Sequence, residues 1–527
     1  MFSPILPHSE RHSPWLPKSE SLTNPLKWVN FPTLFPPLPF AGILPAAAEV
    51  DRRVTMTANQ DALQRLISGA LSLSILCGLG AAMGCDDEET PEAPVEAPEA
   101  PEAPEAPEAP PQAVATSAVG DNLDEGLLVV YSPFTQSDSG QWTQPGEARL
   151  ELHTRSGGEW HMSVVSDADS NVFHKAIPYT LWGQQGIVTI GGMKAMVKFW
   201  TRDDAGEWSA ELLWKEDFGG RISRMRDIET VTVSGVTSLA IATHDQGYLA
   251  LLTPASARPD AIVPVGSGDD YVHNGFTLRR SAKRENMFVH EIEVGDLDGD
   301  GTPEIYATPS EPNHMDGGAQ AGEVVRFLPT GEGEIETTVV ANLGDRHAKE
   351  ILVDDVDGDG RDELYVSVEG LTERTDSGMN VVEAVEVRRY DHNTPADARI
   401  VIGRIEGDHL MRFLTAGDVD GDGKKELVAA TFSRGLWLMR PGTDPRGEWG
   451  VESFDRESGG FEHTSYLADL DGNGSDELYV ASDNHGELRR YAWVNGRARR
   501  STVSTREVPR QMITWNIVSA PRALLAP

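Results

Sequence analysis

The chain has 527 residues, of which 83 are acidic and 45 are Lys or Arg, giving a formal net charge of -38. This excess of negative charge repels nucleic acid and anionic surfaces, so we exclude nucleic acid as a partner. Both cysteines, Cys77 and Cys85, lie in one apolar N-terminal stretch, so disulfides cannot hold the rest of the chain together.

Residues 1–55 are rich in Pro and aromatic side chains and show neither a helix period nor a strand period. A secretion signal is expected at an N-terminus, yet the one in this chain follows these residues. We therefore expect residues 1–55 to be disordered or to lie upstream of the true start, Met56.

Residues 56–85 have the layout of a secretion signal. An uncharged run at 66–83 follows Arg65, and the tetrapeptide that ends at Cys85 resembles a bacterial lipobox, with Ala82 in place of the usual Leu. The resemblance implies that Cys85 is lipidated, that the lipid anchors the protein to a membrane, and that the protein is in the bacterial cell envelope, lipid-anchored or secreted. An uncleaved membrane-spanning helix is the alternative, because this run reaches the lower limit for a span.

Residues 86–120 form an acidic, Pro-rich linker. Its Pro-Glu-Ala repeats carry too little apolar surface for a core, and their prolines and charges favour an extended polyproline II chain. We interpret the segment as a disordered stalk that holds the domain at 121–527 away from the membrane.

Four similar segments in the second half of the chain indicate a repeat. They are VGDLDGDGTPEIYAT from Val294, VDDVDGDGRDELYVS from Val353, AGDVDGDGKKELVAA from Ala416 and LADLDGNGSDELYVA from Leu467. Their first loop aspartates are 59, 63 and 51 residues apart, which suits one four-stranded blade per repeat. Gly-Glu-Trp recurs at 158–160, 206–208 and 447–449, where it fits the last hairpin of a blade.

The same apolar alternation, without the aspartates, begins at Gly126, Gly186 and Leu239. Together the segments predict an all-β fold, a seven-bladed β-propeller over residues 121–527. The segment from Met512 resembles the strand that precedes each loop. We expect it to pair with the strand near Leu127, so that the two ends of the domain close the ring and leave no long free sheet edge.

Each aspartate-rich loop offers oxygen ligands at positions 1, 3, 5 and 9 and a backbone carbonyl at position 7. Calcium prefers six to eight hard oxygen ligands, and the glycines at positions 4 and 6 permit a tight curl. The predicted ligands are Asp296, Asp298, Asp300, Thr302 and Glu304; Asp355, Asp357, Asp359, Arg361 and Glu363; Asp418, Asp420, Asp422, Lys424 and Glu426; and Asp469, Asp471, Asn473, Ser475 and Glu477.

Two other interpretations of these loops are considered. An EF-hand needs Glu at position 12, where all four loops have an apolar residue, so this interpretation fails. A solvated acidic turn without metal is the other, but four such turns would be strongly self-repelling without a cation. The sequence therefore predicts about four Ca²⁺ sites.

These loops, and the apolar strand after each, resemble the FG-GAP or VCBS-type repeats of bacterial surface proteins, which are related to the propeller of integrin α-subunits. The resemblance is specific over 294–481 and weaker over 126–293, where Asp227 and Glu229 are interpreted as remnants of a loop. It implies that the calcium loops are structural and stiffen the hairpin between the first two strands of a blade. Intact Phe-Gly and Gly-Ala-Pro pairs are absent, so integrin-like ligand binding is not implied.

One histidine precedes each loop: His290, His347, His409 and His463. The inner strands of a propeller border its central channel, so a ring that binds a ligand or a second metal is one interpretation. Ordinary polar residues at strand starts are the other, because their offsets from the loops mix odd and even numbers and cannot all face one way without bulges.

No nucleotide-binding, nucleophile-elbow, zincin or cysteine-based motif occurs in the chain. Some polysaccharide lyases are built on calcium-bearing propellers of related sequence, so this does not decide whether the protein is an enzyme. The sequence favours a cell-surface binding or adhesion module whose partner is an extracellular protein or glycan. A polysaccharide lyase or other carbohydrate-active enzyme, and a structural envelope protein without a dedicated ligand, are the alternatives.

Overall fold

The computed structural model describes residues 123–525, apart from 137–141, 193, 219–222, 267–270, 285–286, 313–317, 330–334, 376–377 and 508–511. The predictions for residues 1–55, 56–85 and 86–120, including the lipidation of Cys85, lie outside the described residues. Within them, no helix has the length and apolar character needed to cross a membrane.

The described strands form seven antiparallel blades. Blade 1 contains β1 (Glu125–Gln136), β2 (Trp142–Pro145), β3 (Ala148–Ser156) and β4 (Glu159–Asp167); blade 2 contains β5 (Phe173–Leu181), β6 (Gln184–Gly191), β7 (Ala195–Arg202) and β8 (Trp208–Glu216). Blade 3 contains β9 (Asp227–Val233), β10 (Val236–Ala242), β11 (Leu249–Pro254) and β14 (Phe276–Arg280). Two short strands between β11 and β14, β12 (Pro264–Val265) and β13 (Tyr271–His273), extend blade 2.

Blades 4 to 7 follow the same order. Blade 4 contains β15 (Phe288–Gly295), β16 (Glu304–Ser310), β17 (Glu323–Leu328) and β18 (Glu336–Asn342); blade 5 contains β19 (Ala348–Asp354), β20 (Glu363–Val368), the inserted hairpin β21 (Leu371–Thr375) and β22 (Gly378–Glu383), β23 (Val385–Tyr390) and β24 (Val401–Ile405). Blade 6 contains β25 (Met411–Gly417), β26 (Glu426–Thr431), β27 (Leu436–Arg440) and β28 (Gly450–Asp455); blade 7 contains β29 (Ser465–Ala468), β30 (Glu477–Ser482), β31 (Glu487–Val494) and β32 (Arg497–Thr505).

The last strand, β33 (Met512–Pro521), returns to blade 1 and precedes the short helix α1 (Arg522–Leu525). It pairs antiparallel with β1, with Ser519 opposite Leu127. The predicted seven-bladed propeller and its closure by the two ends of the domain are therefore confirmed. The Gly-Glu-Trp segments also lie where predicted, between the last two strands of blades 1, 2 and 6.

The core lies between the blades. The second strand of a blade carries apolar side chains on both faces, and all six residues of β20, β26 and β30 are buried. Among the described residues, each pair of neighbouring blades shares one buried apolar cluster, as where Val428 of blade 6 packs with Leu478 of blade 7. Burying such a side chain stabilises the fold by roughly 1.5–3 kcal/mol, so each blade depends on both its neighbours.

The connection between a blade's first two strands takes two forms. Blades 2 and 3 use two-residue turns, and Ser234 and Gly235 in blade 3 have φ values of 51° and 78°, as a type I′ hairpin requires. Blades 4 to 7 use the aspartate-rich loops. Asp227 and Glu229 lie in the inner strand β9, so their interpretation as remnants of a loop is wrong. In blade 3 a tight turn takes the place of that loop.

Candidate metal sites and the central channel

The four aspartate-rich loops share one conformation, between the first two strands of blades 4 to 7. In blade 4, Asp296 accepts hydrogen bonds from the backbone N–H groups of Asp300 (3.1 Å) and Gly301 (2.7 Å). The aspartates that accept the corresponding pair in the other loops are Asp355, Asp418 and Asp469. Gly299 and Gly301 have φ values of 70° and 83°, so the tight curl predicted at these glycines is confirmed.

Carboxylate oxygens converge within each loop and lie within 4.8 Å of one another. The converging sets are Asp296, Asp298 and Asp300; Asp355, Asp357, Asp359 and Glu363; Asp418, Asp420 and Glu426; and Asp469, Asp471 and Glu477. Hard divalent cations take oxygen ligands of this kind, and calcium accepts six to eight of them. The residues present therefore fit a hard cation in every loop.

Other predicted ligands are arranged differently. Glu304 lies outside its converging set, and its carboxylate accepts hydrogen bonds from Arg326 (2.9 Å) and Tyr306 (2.6 Å). Asp422 also lies outside its set and accepts the Lys424 backbone N–H. The other position-7 residues, Thr302, Arg361 and Ser475, likewise donate their backbone N–H to the side chain at position 5, which is Asn473 in blade 7.

An arginine from the third strand of the blade contacts the loop in blades 4, 5 and 7. Arg389 lies 2.7 Å from Asp357 and 3.2 Å from Glu363. The arginines in the corresponding places are Arg326 and Arg490. In blade 6 the corresponding residue, opposite Val428 in the second strand, is Leu438. The sequence reasoning missed these arginines because they lie beyond the loop by a strand and a turn, outside the repeated motif.

Three of the glutamates at position 9 have surroundings that oppose the charged form of the carboxylate. Burial raises the pKa of Glu363 and of Glu426 to about 7, and that of Glu477 to about 8. The loop aspartates add to these shifts by repulsion, whereas Arg389 and Arg490 oppose them at Glu363 and Glu477. A cation among these carboxylates would offset the same repulsion.

The loops of neighbouring blades are connected to each other. The residue before each position-9 glutamate in blades 5, 6 and 7 reaches the loop of the preceding blade. The contacts are Asp296 N–H to Asp362 Oδ2 (2.7 Å), Lys425 Nζ to Asp354 Oδ1 (2.6 Å) and Asp418 N–H to Asp476 Oδ2 (2.8 Å). Gly417 permits the last contact, because a Cβ there would lie 2.5 Å from Asp476 Oδ2. The four loops therefore form one continuous arc.

The predicted histidines lie near the starts of inner strands and have different partners. These are the His244 ring for His290 (4.9 Å between ring centres), Glu369 for His347 (2.9 Å), Asp408 for His409 (3.8 Å), and Ser458 and the Thr431 carbonyl for His463 (2.8 Å each). Burial lowers the pKa of His463 to about 4 and that of His290 well below its usual range, so both are neutral at pH 7. The contacts of His463 fasten blade 7 to blade 6. A shared ligand at these histidines stays a prediction.

The inner strands β33, β5, β9, β15, β19, β25 and β29 surround the channel, and most of them are irregular at a similar place. Strand pairing shifts register beside the polar or aromatic residues His174, His290, Glu291, Lys349, Arg412 and Trp515. A β-bulge re-aims the side chain it carries. Of the four predicted histidines, His290 lies at such a bulge, whereas β29, which follows His463, pairs without a register shift, so the objection from alternation is met for His290 and not for the set. His174, Glu291, Arg412 and Trp515 line a channel cavity of about 30 Å³.

A larger cleft lies on one face of blade 2, beside the end of blade 1. Its volume is about 560 Å³, within the usual range for small-molecule sites. Lys194, Lys198 and Lys215 line it together with the apolar side chains of Met196 and Trp200. Two acidic residues, Asp167 and Asp169, also line it and pair with Lys198. In a chain of net charge -38, this cleft is a local concentration of lysines beside an aromatic side chain.

No family model and no curated protein matches the chain. Solved structures to which the chain is similar include one described, as a provisional assignment, as a 6-phosphogluconolactonase from Bacteroides uniformis. It is 12% identical, has a TM-score of 0.45, and covers 75% of this chain and 100% of its own. Another is a protein from Lactobacillus plantarum, 11% identical with a TM-score of 0.40, covering 75% of this chain and 99% of its own.

Proposed function

We propose that the chain is an exported, lipid-anchored, calcium-binding propeller that acts as a binding module at the bacterial cell surface. The observation that carries this proposal is the recurrence of one converging oxygen set at one place in four consecutive blades. A solitary acidic turn would need no explanation. Four acidic turns that share the same backbone hydrogen bonds and are connected in an arc support a structural role for calcium.

The resemblance to FG-GAP or VCBS-type repeats supports calcium over other hard cations and supports a place outside the cytoplasm. Lipid attachment at Cys85 and the acidic stalk would place the propeller at some distance from the membrane, where it can meet extracellular partners. Each calcium ion would bridge the two ends of a loop and so hold the hairpin between the first two strands.

The lysine-lined cleft of blade 2 is the candidate ligand site. Its volume accepts a sugar unit, the half-buried Met196 offers an apolar surface, and its lysines complement a carboxylate. We therefore propose a glycan that carries uronic acids as the ligand class. The same lysines favour the alternative of a polysaccharide lyase, because such an enzyme must also bind the acidic sugar.

Calcium binding is tested by isothermal titration of the full chain. The loop variant Asp296→Asn/Asp355→Asn/Asp418→Asn/Asp469→Asn removes the position-1 charge from every site and should abolish loop binding. Asp203→Asn is the matched control, because Asp203 accepts two backbone N–H groups in a turn of blade 2 where no converging acidic set occurs among the described residues. Equal binding by wild type and loop variant would contradict the proposal.

Ligand binding is tested with the full chain, in calcium, on an array of neutral and uronate-containing oligosaccharides. Retention that Lys194→Ala/Lys215→Ala weakens at least tenfold, and that the exposed Lys283→Ala leaves unchanged, supports the binding module. Release of unsaturated sugars would establish the lyase instead. If the array shows no retention and no release, the glycan ligand is rejected, and a protein partner or the structural role is left.

A further inference from the structure

Acidic side chains from three neighbouring inner strands gather near one lysine in the channel. Lys175 of β5 lies 2.8 Å from Asp227 and 3.8 Å from Glu291, and it also pairs with Glu229. With Glu293 of β15 and Glu350 of β19, these residues form what we call the axial cluster: Lys175, Asp227, Glu229, Glu291, Glu293 and Glu350. The single charge of the ammonium group can balance only one of the acids.

The other cations near this cluster are engaged with other acids. Glu462 lies 2.5 Å from Arg412 and 3.7 Å from Arg226. Glu369 lies 3.4 Å from Arg412 and 3.7 Å from Lys349. The channel as a whole therefore contains both signs of charge, but the axial cluster is left with an excess of acid.

Glu350 is the most enclosed glutamate of the axial cluster. It is 5% exposed and accepts one backbone hydrogen bond, from Leu414 N–H at 3.3 Å. Burial raises the pKa of Glu350 to about 8, and repulsion from Asp227 adds to this shift, whereas Leu414 N–H and Lys175 oppose it. Glu350 therefore holds a proton at pH 7.

Glu291 and Asp227 require a second proton. Asp227 is 2% exposed and accepts the backbone N–H groups of Ile228 and Ile292, each at 2.8 Å, which favours its ionised form. Burial raises the pKa of Glu291 well above its usual range, and repulsion from Asp227 and a hydrogen bond with its carboxyl group add to the shift. A hydrogen bond between two carboxyl groups needs a proton on one of them, so Glu291 is the donor.

A buried acceptor on β33 is an independent observation at the same cavity. Asn516 is 6% exposed, and its Oδ1 has no hydrogen-bond partner among the described residues. It lines the cavity together with Glu291 and Glu350. An ionised carboxylate only accepts hydrogen bonds, whereas a protonated carboxyl also donates one. Protons on the glutamates therefore add donors to a cavity in which this acceptor lacks one.

We propose that the axial cluster is a pH-sensitive switch, in which protons held by Glu291 and Glu350 keep the inner strands of blades 3 to 5 together. Once these protons are released, three adjacent strands carry like charges beside a single ammonium group, and repulsion loosens β9, β15 and β19. The switch does not depend on the aspartate-rich loops or on the proposed function. The charged and titratable groups that surround the two glutamates are His174 and Lys175 from β5, Arg226, Asp227 and Glu229 from β9 and the residue before it, Glu293 from β15, Arg412 from β25, and Glu462, which precedes β29.

The direction of the pH dependence follows from Glu350. An unfolded glutamate has a pKa of about 4.3, and the pKa of the folded Glu350 is about 8. The stabilisation that its protonated form provides is therefore complete below pH 4.3 and is lost as pH rises through 8. The dependence is opposite to that of an acid whose pKa folding lowers.

The test measures the melting temperature of the full chain between about pH 5 and pH 9, with calcium present. The axial variant Glu291→Gln/Glu350→Gln has the shape of the protonated acids and cannot ionise. It should melt close to wild type at pH 5 and roughly 3 °C or more above wild type at pH 9. Glu406→Gln, an exposed glutamate, is the matched control and should follow wild type throughout. A difference between axial variant and wild type that does not change with pH would overturn the proposal.

Two further measurements keep the proposal testable if the axial variant fails to fold. The infrared spectrum of wild type minus that of Glu350→Gln should show the C=O stretch of a protonated carboxyl at pH 7 and lose it by about pH 9. This difference isolates Glu350 from the glutamates of the loops. Hydrogen exchange of wild type, corrected for the intrinsic effect of pH, should rise over the same range at β9, β15 and β19 more than at β25. Absence of the carboxyl signal, or exchange that rises equally in all four strands, would contradict the switch.

Discussion

Blades 2 and 3 and blades 4 to 7 have the same strand order but join their first two strands in different ways. Blade 3 turns on Ser234 and Gly235, whose positive φ values match the twist of a tight hairpin. Blades 4 to 7 instead use loops that gather carboxylates. The comparison teaches that one hairpin can be held by backbone conformation alone, whereas the other gathers like charges that the proposed calcium ions would neutralise.

The largest expected effect is the loss of thermal stability on removal of calcium, which should arise in blades 4 to 7 and not in blades 2 and 3. A ligand bound only to the folded state contributes about 2.7 kcal/mol per site at a hundredfold excess over Kd, so four occupied loop sites would contribute about 11 kcal/mol. For a domain of this size, chelation should lower the melting temperature by about 10 °C in a calorimetric scan. The loop variant should already melt low and should not respond to chelator, and a wild type indifferent to chelator would refute this.

The contact that joins blade 7 to blade 1 should depend on pH rather than on calcium. Arg506, after the last strand of blade 7, donates two hydrogen bonds to Glu151 of blade 1, at 2.9 and 2.7 Å. Burial alone would raise the pKa of Glu151, but the His153 hydrogen bond and the Arg506 charge lower it to about 2. The stabilisation is therefore present above the unfolded pKa of about 4.3 and is lost as pH falls through 2.

We expect Glu151→Gln to lose about 3 kcal/mol of unfolding free energy at pH 7, and the difference from wild type to shrink towards pH 2. Denaturant titration at several pH values measures it. The exposed Glu147→Gln should show neither effect. A constant difference across this range would contradict the pairing.

A matched pair of glycines isolates backbone strain from metal binding. Gly235 and Gly358 have φ values of 78° and 74°, and a Cβ at either would meet open space. Gly235→Ala in blade 3 should cost about 1–2 kcal/mol whether calcium is present or not. Gly358→Ala, in a metal loop, should cost the same in chelator and more in calcium, because its strain also distorts the ion's ligands. Equal costs in calcium would show that the loop does not need this conformation to bind.

The smallest expected effect concerns the links between loops. Asp362 belongs to the loop of blade 5 but accepts a hydrogen bond from Asp296 N–H in blade 4. Asp362→Ala should cost about 0.5–1.5 kcal/mol and reduce amide protection at Asp296. Hydrogen exchange measures this, with the exposed Asp397→Ala as control. If Asp362→Ala changes amide protection in blade 5 alone, the proposed link to blade 4 is contradicted.

The sequence predicted the blades, their number and the closure because strand alternation and a fixed repeat are local patterns. It also located the loops between the first two strands. It misplaced Asp227 and Glu229, because the tight turn at Ser234 and Gly235 was not recognised and an acidic pair in an inner strand was interpreted as the remnant of a calcium loop. It could not show that Arg389 contacts Asp357, that Asp362 reaches Asp296, or that bulges aim Glu291 and Arg412 into the channel. These depend on strand register and on blade-to-blade distances, which no single segment encodes.

Hydrogen exchange of the full chain, with calcium and with chelator, tests the central claim most directly. We expect calcium to slow exchange strongly at the hairpins β15–β16, β19–β20, β25–β26 and β29–β30, and to leave the β5–β6 and β9–β10 hairpins nearly unchanged. If all six hairpins keep the same protection in both conditions, or change by the same amount, the claim that calcium stabilises the first hairpin of blades 4 to 7 is contradicted.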